Sequence, residues 1–317
     1  MPRIVITGAA GFIGSNLVGH ALGLGMEVIA FDDLTTGSMA NLQSQSNNPR
    51  FTFVKGDIMR SAALAPILER ADGVVHLAAV VSIQKSLESP GLVHRVNVGG
   101  TLNVLEASAK AGVKSIVFAS SAAVYGDTAA PPFKERVALS PISLYGATKA
   151  AGESYCSAYG KSFDIKVTVL RFANVYGRRR RLGPYGNVMV RFAEAISKGE
   201  PLTIFGDGTQ TRDFVHVTDV VSVIGAVAAG EGNGGIFNIG SGVQTQIGRL
   251  ANIFAGRTPS GKWPLRYLES RRGDISRSYL DIGKARRQLG YRPRVGLRQG
   301  VSDFVDWYRN EDLASKT

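Results

Sequence analysis

The sequence predicts an α/β protein whose core is a doubly wound parallel sheet covered by helices on both faces. Three observations predict it. Short β-branched runs recur through the first half of the chain, separated by stretches of helical length. The first run passes at once into a glycine-rich turn, Gly8-Ala9-Ala10-Gly11-Phe12-Ile13-Gly14. The second ends in Asp32-Asp33, about 20 residues beyond those glycines, the spacing of a Rossmann-type dinucleotide site.

Taken in order, Arg3–Thr7 is the first strand and Ser15–Leu24 the first helix. Between them the glycines let the backbone approach a pyrophosphate resting on the positive end of the helix. Gly8, Gly11, Phe12, Ile13 and Gly14 are therefore candidate cofactor residues. Val28–Phe31 is the second strand. A carboxylate at its end accepts a ribose 2′-hydroxyl and repels a 2′-phosphate, so Asp32, with Asp33 beside it, favours NAD over NADP. Strands follow at Phe51–Val54, Val74–Leu77, Ser115–Ala119 and Ile165–Leu170, with helices over Ala62–Arg70, Pro90–Ala111 and Leu144–Gly160. Ligands of such sheets bind beyond the carboxyl ends of the strands. Asp57 and Ile58 after the third strand, and Leu77, Ala78 and Ala79 after the fourth, are thus expected to face the cofactor. The fifth strand runs into Ser120-Ser121-Ala122-Ala123-Val124-Tyr125-Gly126, which puts two hydroxyls at the same edge.

The stretch PISLYGATKAAGE carries the chemistry. Tyr145 and Lys149 are about one helical turn apart, so both side chains share a face. A phenol in water gives up its proton only at about pH 10. An ammonium roughly 4 Å away is worth about 4 kcal/mol at an effective dielectric near 20, on the order of three pKa units. That makes Tyr145 a proton acceptor near neutrality.

Composition bounds the rest. With 317 residues, 44% apolar and 20% charged, the chain is an ordinary globular protein, one large domain or a large domain with a smaller one. No apolar run reaches the length of a membrane span, and a strand signal begins at the N-terminus with no room for a signal peptide. The single cysteine, Cys156, excludes an intramolecular disulfide and fits a cytoplasmic location. The net charge of +12 fits a nucleic-acid or membrane surface or the attraction of an anionic small molecule, and no nucleic-acid motif accompanies it. His20, His76, His94 and His216 have no metal-ligand spacing and are expected to be structural.

Together the glycine turn, Asp32, HLAA, SSAAVYG, Tyr145-x-x-x-Lys149 and RFANVYG resemble the extended short-chain dehydrogenases/reductases. Within them the chain looks most like the NAD-dependent epimerase/dehydratase family, closest to the UDP-hexose 4-epimerases. The resemblance covers nearly the whole chain. It implies an NAD-binding domain over residues 1–172, to which 213–240 returns. It also implies a smaller α/β nucleotide-sugar domain over 173–212 and 241–317, and a homodimer through the helices 90–111 and 144–160. By the same resemblance Asn97 and Ser120 join the cofactor site, and Asn174, Asn187, Val188, Arg212, Arg271 and Asp274 hold the nucleotide diphosphate and sugar. Ala173 stands where many epimerases carry Phe, and the basic run Arg178–Arg181 is a solvated loop or a clamp for an anionic sugar. Thr211–Val217 reads as a strand with a helix beginning near Thr218, and Leu280–Gly290 as a structural helix. Ser278, the fourth residue after Asp274, aligns with the position that gates the sugar 2-substituent; a small residue there admits an N-acetyl group.

The implied reaction is UDP-hexose 4-epimerisation. Tyr145 removes the proton of the sugar 4-hydroxyl, Lys149 lowers the phenol pKa and holds the nicotinamide ribose, and Ser121 hydrogen-bonds the reacting oxygen. Dehydratases and decarboxylases of the family need an acid just after this Ser, where Ala122 and Ala123 stand. A UDP-glucuronate 4-epimerase, favoured by the arginine run, and a non-catalytic NAD sensor are the alternatives.

Overall fold

The computed structural model describes residues 2–127, 130–179, 187–232, 234–258, 261–270 and 275–314. Its strands are β1 (Arg3–Thr7), β2 (Glu27–Asp32), β3 (Phe51–Lys55), β4 (Gly73–His76), β5 (Ser115–Ser121), β6 (Lys166–Phe172), β7 (Asn174–Tyr176), β8 (Leu202–Phe205), β9 (Thr211–Arg212), β10 (Phe214–His216), β11 (Gly235–Ile239), β12 (Thr245–Gln246) and β13 (Leu265–Leu268). Seven of them form one parallel sheet in the order β11-β6-β5-β4-β1-β2-β3. The chain runs outward from β1 through β2 to β3, then crosses back to β4. The crevice over the carboxyl ends of β1 and β4 is therefore the point where the winding reverses, the place such sheets keep for ligands.

The helices are α1 (Phe12–Gly23), α2 (Ala65–Leu68), α3 (Ile83–Glu88), α4 (Pro90–His94), α5 (Gly100–Lys110), α6 (Leu144–Ser162), α7 (Val188–Lys198), α8 (Val217–Ala228), α9 (Ile247–Ala255), α10 (Gly283–Gln288) and α11 (Leu297–Ala314). Strand alternation decides what each face buries. Ile4 and Ile6 of β1 face the core shared with Leu17 of α1 and Val220 and Ile224 of α8. Val5, between them, faces the opposite core with Leu105 of α5, Phe118 and Cys156. A third core joins Phe192 of α7, Leu250 and Phe254 of α9 and Phe304 of α11 against Tyr176 and Ile204. Each such side chain contributes about 1.5–3 kcal/mol on burial. No helix among the described residues is long and apolar enough to cross a membrane.

Five of the expected elements differ in the structure. The helix expected over Ala62–Arg70 shrinks to a 3₁₀ turn, Ser61–Ala63, and the four residues of α2. Pro66 sits in its first turn, and Arg70 adopts a left-handed φ of 65° that ends it. Pro90–Ala111 is interrupted by a π-helical turn at Arg95–Gly99, where Asn97 turns inward. The first helix begins three residues early, at Phe12. Thr211–Val217 is two strands split at Asp213: β9 pairs antiparallel with β12, β10 parallel with β7, and α8 begins already at Val217. Leu280–Gly290 is helical only over Gly283–Gln288, because Leu280 bridges to Phe133 and Asp281 accepts from the Gly283 amide.

Candidate active site

The cofactor crevice starts from glycines that nothing larger could replace. Gly8 has φ 70°, and a Cβ there would lie 2.7 Å from the Ala78 amide nitrogen, so β1 and β4 close on each other at this turn. A Cβ on Gly14 would collide with the Gly8 carbonyl oxygen, which brings α1 tight against the turn. Gly11 caps α1 with no side chain folded over the helix end, and Phe12 and Ile13 are half-buried in its first turn. These are the features a pyrophosphate needs, and the residues fit a dinucleotide.

Asp32 ends β2 and is buried. Its Oδ2 accepts from the Ala10 amide at 2.9 Å and its Oδ1 from the Leu34 amide at 2.7 Å, so it holds the glycine turn and the following loop together. Burial raises its pKa against those two bonds. Each carboxylate oxygen has a further lone pair for a ribose hydroxyl. Asp33 instead turns to Thr35 at the surface, with Oδ1 on its amide and Oδ2 on its hydroxyl. Asp57 is half-buried and accepts from the Met59 amide, and Ile58 packs in the core under Gly100. Leu77, Ala78 and Ala79 line the end of β4; the Leu77 amide donates to the Thr7 carbonyl and that of Ala78 to the Thr7 hydroxyl.

Two of the expected cofactor residues prove to have structural partners. Asn97 is buried, and its amide pairs with both backbone atoms of Val80 (2.8 and 3.1 Å) while its nitrogen also donates to Thr148. It fastens the loop after β4 to α6 one residue before Lys149. The Ser120 side chain is buried and donates to Glu153, below the crevice.

The reactive couple rests on α6. Ser143 caps the helix, its Oγ accepting from the Gly146 amide at 3.0 Å. A Cβ on Gly146 would lie 2.6 Å from the Ala123 carbonyl oxygen, so this glycine lets the start of α6 press against the 3₁₀ turn after Ser121. That packing brings Tyr145 and Ser121 into one neighbourhood from positions far apart in the chain. Ser121 accepts from the Ala123 amide at 3.2 Å and is partly exposed; Tyr145 is buried.

Lys149 is buried, donates to the Ala119 carbonyl at 2.8 Å and lies 5.1 Å from the centre of the Phe118 ring. Burial lowers its pKa to about 8, held up by Cys156 and Glu153. Beneath it, His76 sits between the Thr7 hydroxyl (2.7 Å) and the Thr101 hydroxyl (3.0 Å). Burial, and then the Lys149 charge, push His76 down to about 3, so it is neutral at physiological pH.

A buried polar network invisible to motif reading lies under this couple. Arg171 of β6 donates to Glu153 of α6 through Nε (2.9 Å) and Nη2 (2.6 Å), and through Nη1 to Tyr125 Oη (2.9 Å). Tyr125 donates in turn to Asn238 of β11 at 2.6 Å. The available signals were a charged residue near the carboxyl end of a buried strand and an acid one turn after Lys149.

On the substrate side Asn187 caps α7 by accepting from the Val190 amide, and Val188 is half-buried in its first turn. Asn174 begins β7, its amide bonded to the Asp213 carbonyl. Arg212 Nη1 donates to the carbonyls of Thr211 (2.8 Å) and Ile275 (2.6 Å). Asp213 beside it is buried and gathers the Ser241 amide and hydroxyl and the Gly242 amide. Ser278 is half-buried, its amide on the Thr211 carbonyl. A cavity of about 860 Å³ opens here between Phe205, Gln210, Thr211, Gln244, Ser276 and Arg277. Of the basic run, Arg179 Nη1 donates to the Ser15 carbonyl and the Arg178 carbonyl accepts from Asn16, which docks this loop on α1. Arg180, Arg181, Arg271 and Asp274 lie outside the described residues.

Comparison with known proteins agrees with this geometry. Residues 4–240 match the NAD dependent epimerase/dehydratase family. A UDP-glucose 4-epimerase of Mycolicibacterium smegmatis is 39% identical over 98% of this chain and 99% of its own. A dTDP-glucose 4,6-dehydratase of Streptomyces griseus is 34% identical over 96% and 94%. The solved UDP-N-acetylglucosamine 4-epimerase of Methanobrevibacter ruminantium, in complex with UDP-N-acetylmuramic acid, superposes with a TM-score of 0.92 at 32% identity, covering 98% of this chain and 99% of that one. With its seven-stranded sheet, its glycine crevice and its Tyr145–Lys149 helix, the chain belongs to the NAD dependent epimerase/dehydratase family of extended short-chain dehydrogenases/reductases.

Proposed function

We propose that the protein is a UDP-hexose 4-epimerase, acting on the UDP-glucose/UDP-galactose pair and on its 2-acetamido counterparts. The observation that carries this reading is the packing of α6 against the Ser121 turn, with Lys149 anchored on the Ala119 carbonyl. It sets a phenol, a hydroxyl and a buried cation around one crevice. The two residues after Ser121 are Ala122 and Ala123, so the turn carries no acid for the second proton transfer of a dehydratase or decarboxylase.

When bound, NAD would supply the acceptor, and on return the donor, of the hydride at sugar C4. Gly8, Gly11 and Gly14 with the first turn of α1 hold its pyrophosphate, Asp32 its adenosine ribose, and Lys149 its nicotinamide ribose. Tyr145 takes the proton of the 4-hydroxyl and hands it back. Lys149 stabilises the phenolate electrostatically, and Ser121 fixes the reacting oxygen. Asn174, Asn187, Val188 and Arg212, with Arg271 and Asp274, hold the nucleotide diphosphate and sugar. Inversion at C4 would require the 4-keto sugar to turn over in the pocket and present its other face to the cofactor.

The division into a cofactor part (1–172 with 213–240) and a nucleotide-sugar part (173–212 and 241–317) belongs to the same reading. The pairing of β11 with β6 and the separate core of α7, α9 and α11 support it. A homodimer through helices 90–111 and 144–160 is also part of this reading; the second of these exposes Tyr155. The test is incubation of the purified protein with UDP-glucose, UDP-N-acetylglucosamine and UDP-glucuronate, with product analysis. C4 epimers of the first two support the reading; a dehydrated or decarboxylated product, or epimerisation of the glucuronate alone, refutes it.

A further inference from the structure

Glu153 and Arg171 form an ion pair that stability alone does not require. Both side chains are almost completely buried, at 4% and 3% exposure. Two well-packed apolar residues of similar volume would avoid the desolvation of two ions and often hold such a site as well or better. What the pair does have is position. Tyr145, Lys149 and Glu153 follow one another at four-residue steps along one face of α6. Glu153 accepts from Ser120, the neighbour of Ser121 on β5, and from Arg171 on β6. Arg171 is itself held by Tyr125 and by the Glu135 carbonyl. The pair thus locks α6 to the carboxyl ends of β5 and β6.

We infer that the Glu153–Arg171 pair is a positioning device for the catalytic couple, fixing the Glu153 carboxylate one turn from Lys149 so that the lysine remains an ammonium although it is buried. Two groups around Lys149 favour its charged form, Cys156 and Glu153. From β4 it meets His76, which is neutral. From β5 it meets the Phe118 ring and the Ala119 carbonyl. Asn97, which bonds the adjacent Thr148, and Thr101, which bonds His76, are uncharged. On α6 itself stand Tyr145, Glu153 and Cys156. Burial pushes the Cys156 thiol up to about 12, so it carries no charge at physiological pH. Glu153 is the remaining anion, and its charge acts to hold the Lys149 proton. Arg171 holds that carboxylate in place through Nε and Nη2.

The inference rests on the reading of Tyr145 and Lys149 as the catalytic couple, and its test separates the two. The primary readout is the titration midpoint of Lys149 in cofactor-free protein, followed by carbon NMR of isotopically labelled lysine and assigned with K149M. The variants are E153Q; the paired E153Q/R171M, which removes both charges and leaves no buried ion alone; and E153D, which keeps the anion. The midpoint is expected near 8 in wild type. It should fall by about one pH unit in E153Q/R171M, with the alkaline limb of kcat/KM moving down in step, and should stay within a few tenths of a unit in E153D. E153Q, wherever it folds, should show at least that fall, because the unpaired Arg171 cation adds repulsion. A purely structural pair predicts instead that E153Q/R171M, once folded, has the wild-type midpoint and the wild-type limb; that result overturns the inference. Near-native turnover in Y145F would instead remove the catalytic reading beneath it, a failure this titration does not share.

Discussion

The ammonium of Lys149 is bonded to the carbonyl of Ala119, 2.8 Å away and just before the two serines that end β5. The bond ties the cation of α6 to the strand end that carries Ser121. It also uses one of the three donors of the ammonium, leaving two for the crevice. Everything proposed for the reaction depends on that anchored charge lying one turn from Tyr145.

Replacing Tyr145 by Phe removes the proton acceptor and keeps the ring that fills this buried position. Turnover is expected to fall at least about a hundredfold, as for loss of a general base, with NAD affinity unchanged. Steady-state kinetics with calorimetric NAD titration check both halves.

Asp32 should set cofactor choice. Calorimetry is expected to show strong preference for NAD, because the 2′-phosphate of NADP would meet a buried carboxylate. Comparable affinities would contradict the role given to Asp32. D32A should also unfold more readily, by about 1–3 kcal/mol for each stranded donor, since the Ala10 and Leu34 amides lose their acceptor.

His76 predicts a pH dependence of stability. Its folded pKa of about 3 lies below the unfolded value, so the unfolded chain binds the extra proton and stability falls as pH drops through the unfolded pKa. Between about pH 7 and about pH 5 this group alone should cost the fold about 2 kcal/mol. His20 and His216 are lowered by burial too and act in the same direction. The His76 share is therefore read as the difference between wild type and H76Q in chemical denaturation at the two pH values. Equal slopes for the two proteins would refute it.

Ser278 should decide which sugars fit. Its amide is fixed to the Thr211 carbonyl beside Arg212, and its side chain is small. Wild type is expected to turn over both plain and 2-acetamido UDP-hexoses, and S278Y to lose the acetamido substrates while keeping UDP-galactose. Equal loss of both classes, or a wild type that refuses UDP-N-acetylglucosamine, would show that Ser278 is not the gate.

The cofactor half was legible in the sequence because its signals are local. Gly14 announces a close backbone approach to Gly8 within a few residues, and strand alternation in β1 divides Ile4 and Ile6 from Val5. What sequence could not show were partners brought together by the sheet. Glu153 meets an arginine 18 residues on, in another element, and Tyr125 meets Asn238 across 113 residues. Asn97 and Ser120 share the motif neighbourhood of cofactor residues, yet their side chains fasten Val80 and Glu153. The split at Asp213 was hidden for the same reason. Its donors, Ser241 and Gly242, come from a distant loop.

The most direct test of the account is the fate of a deuterium placed at C4 of UDP-glucose. Transient oxidation at C4 with return of the same hydride predicts UDP-galactose that keeps the label at C4, with no net accumulation of NADH. A label found at C6, as elimination of the 6-hydroxyl would give, or lost to solvent, or recovered in released NADH, would contradict it.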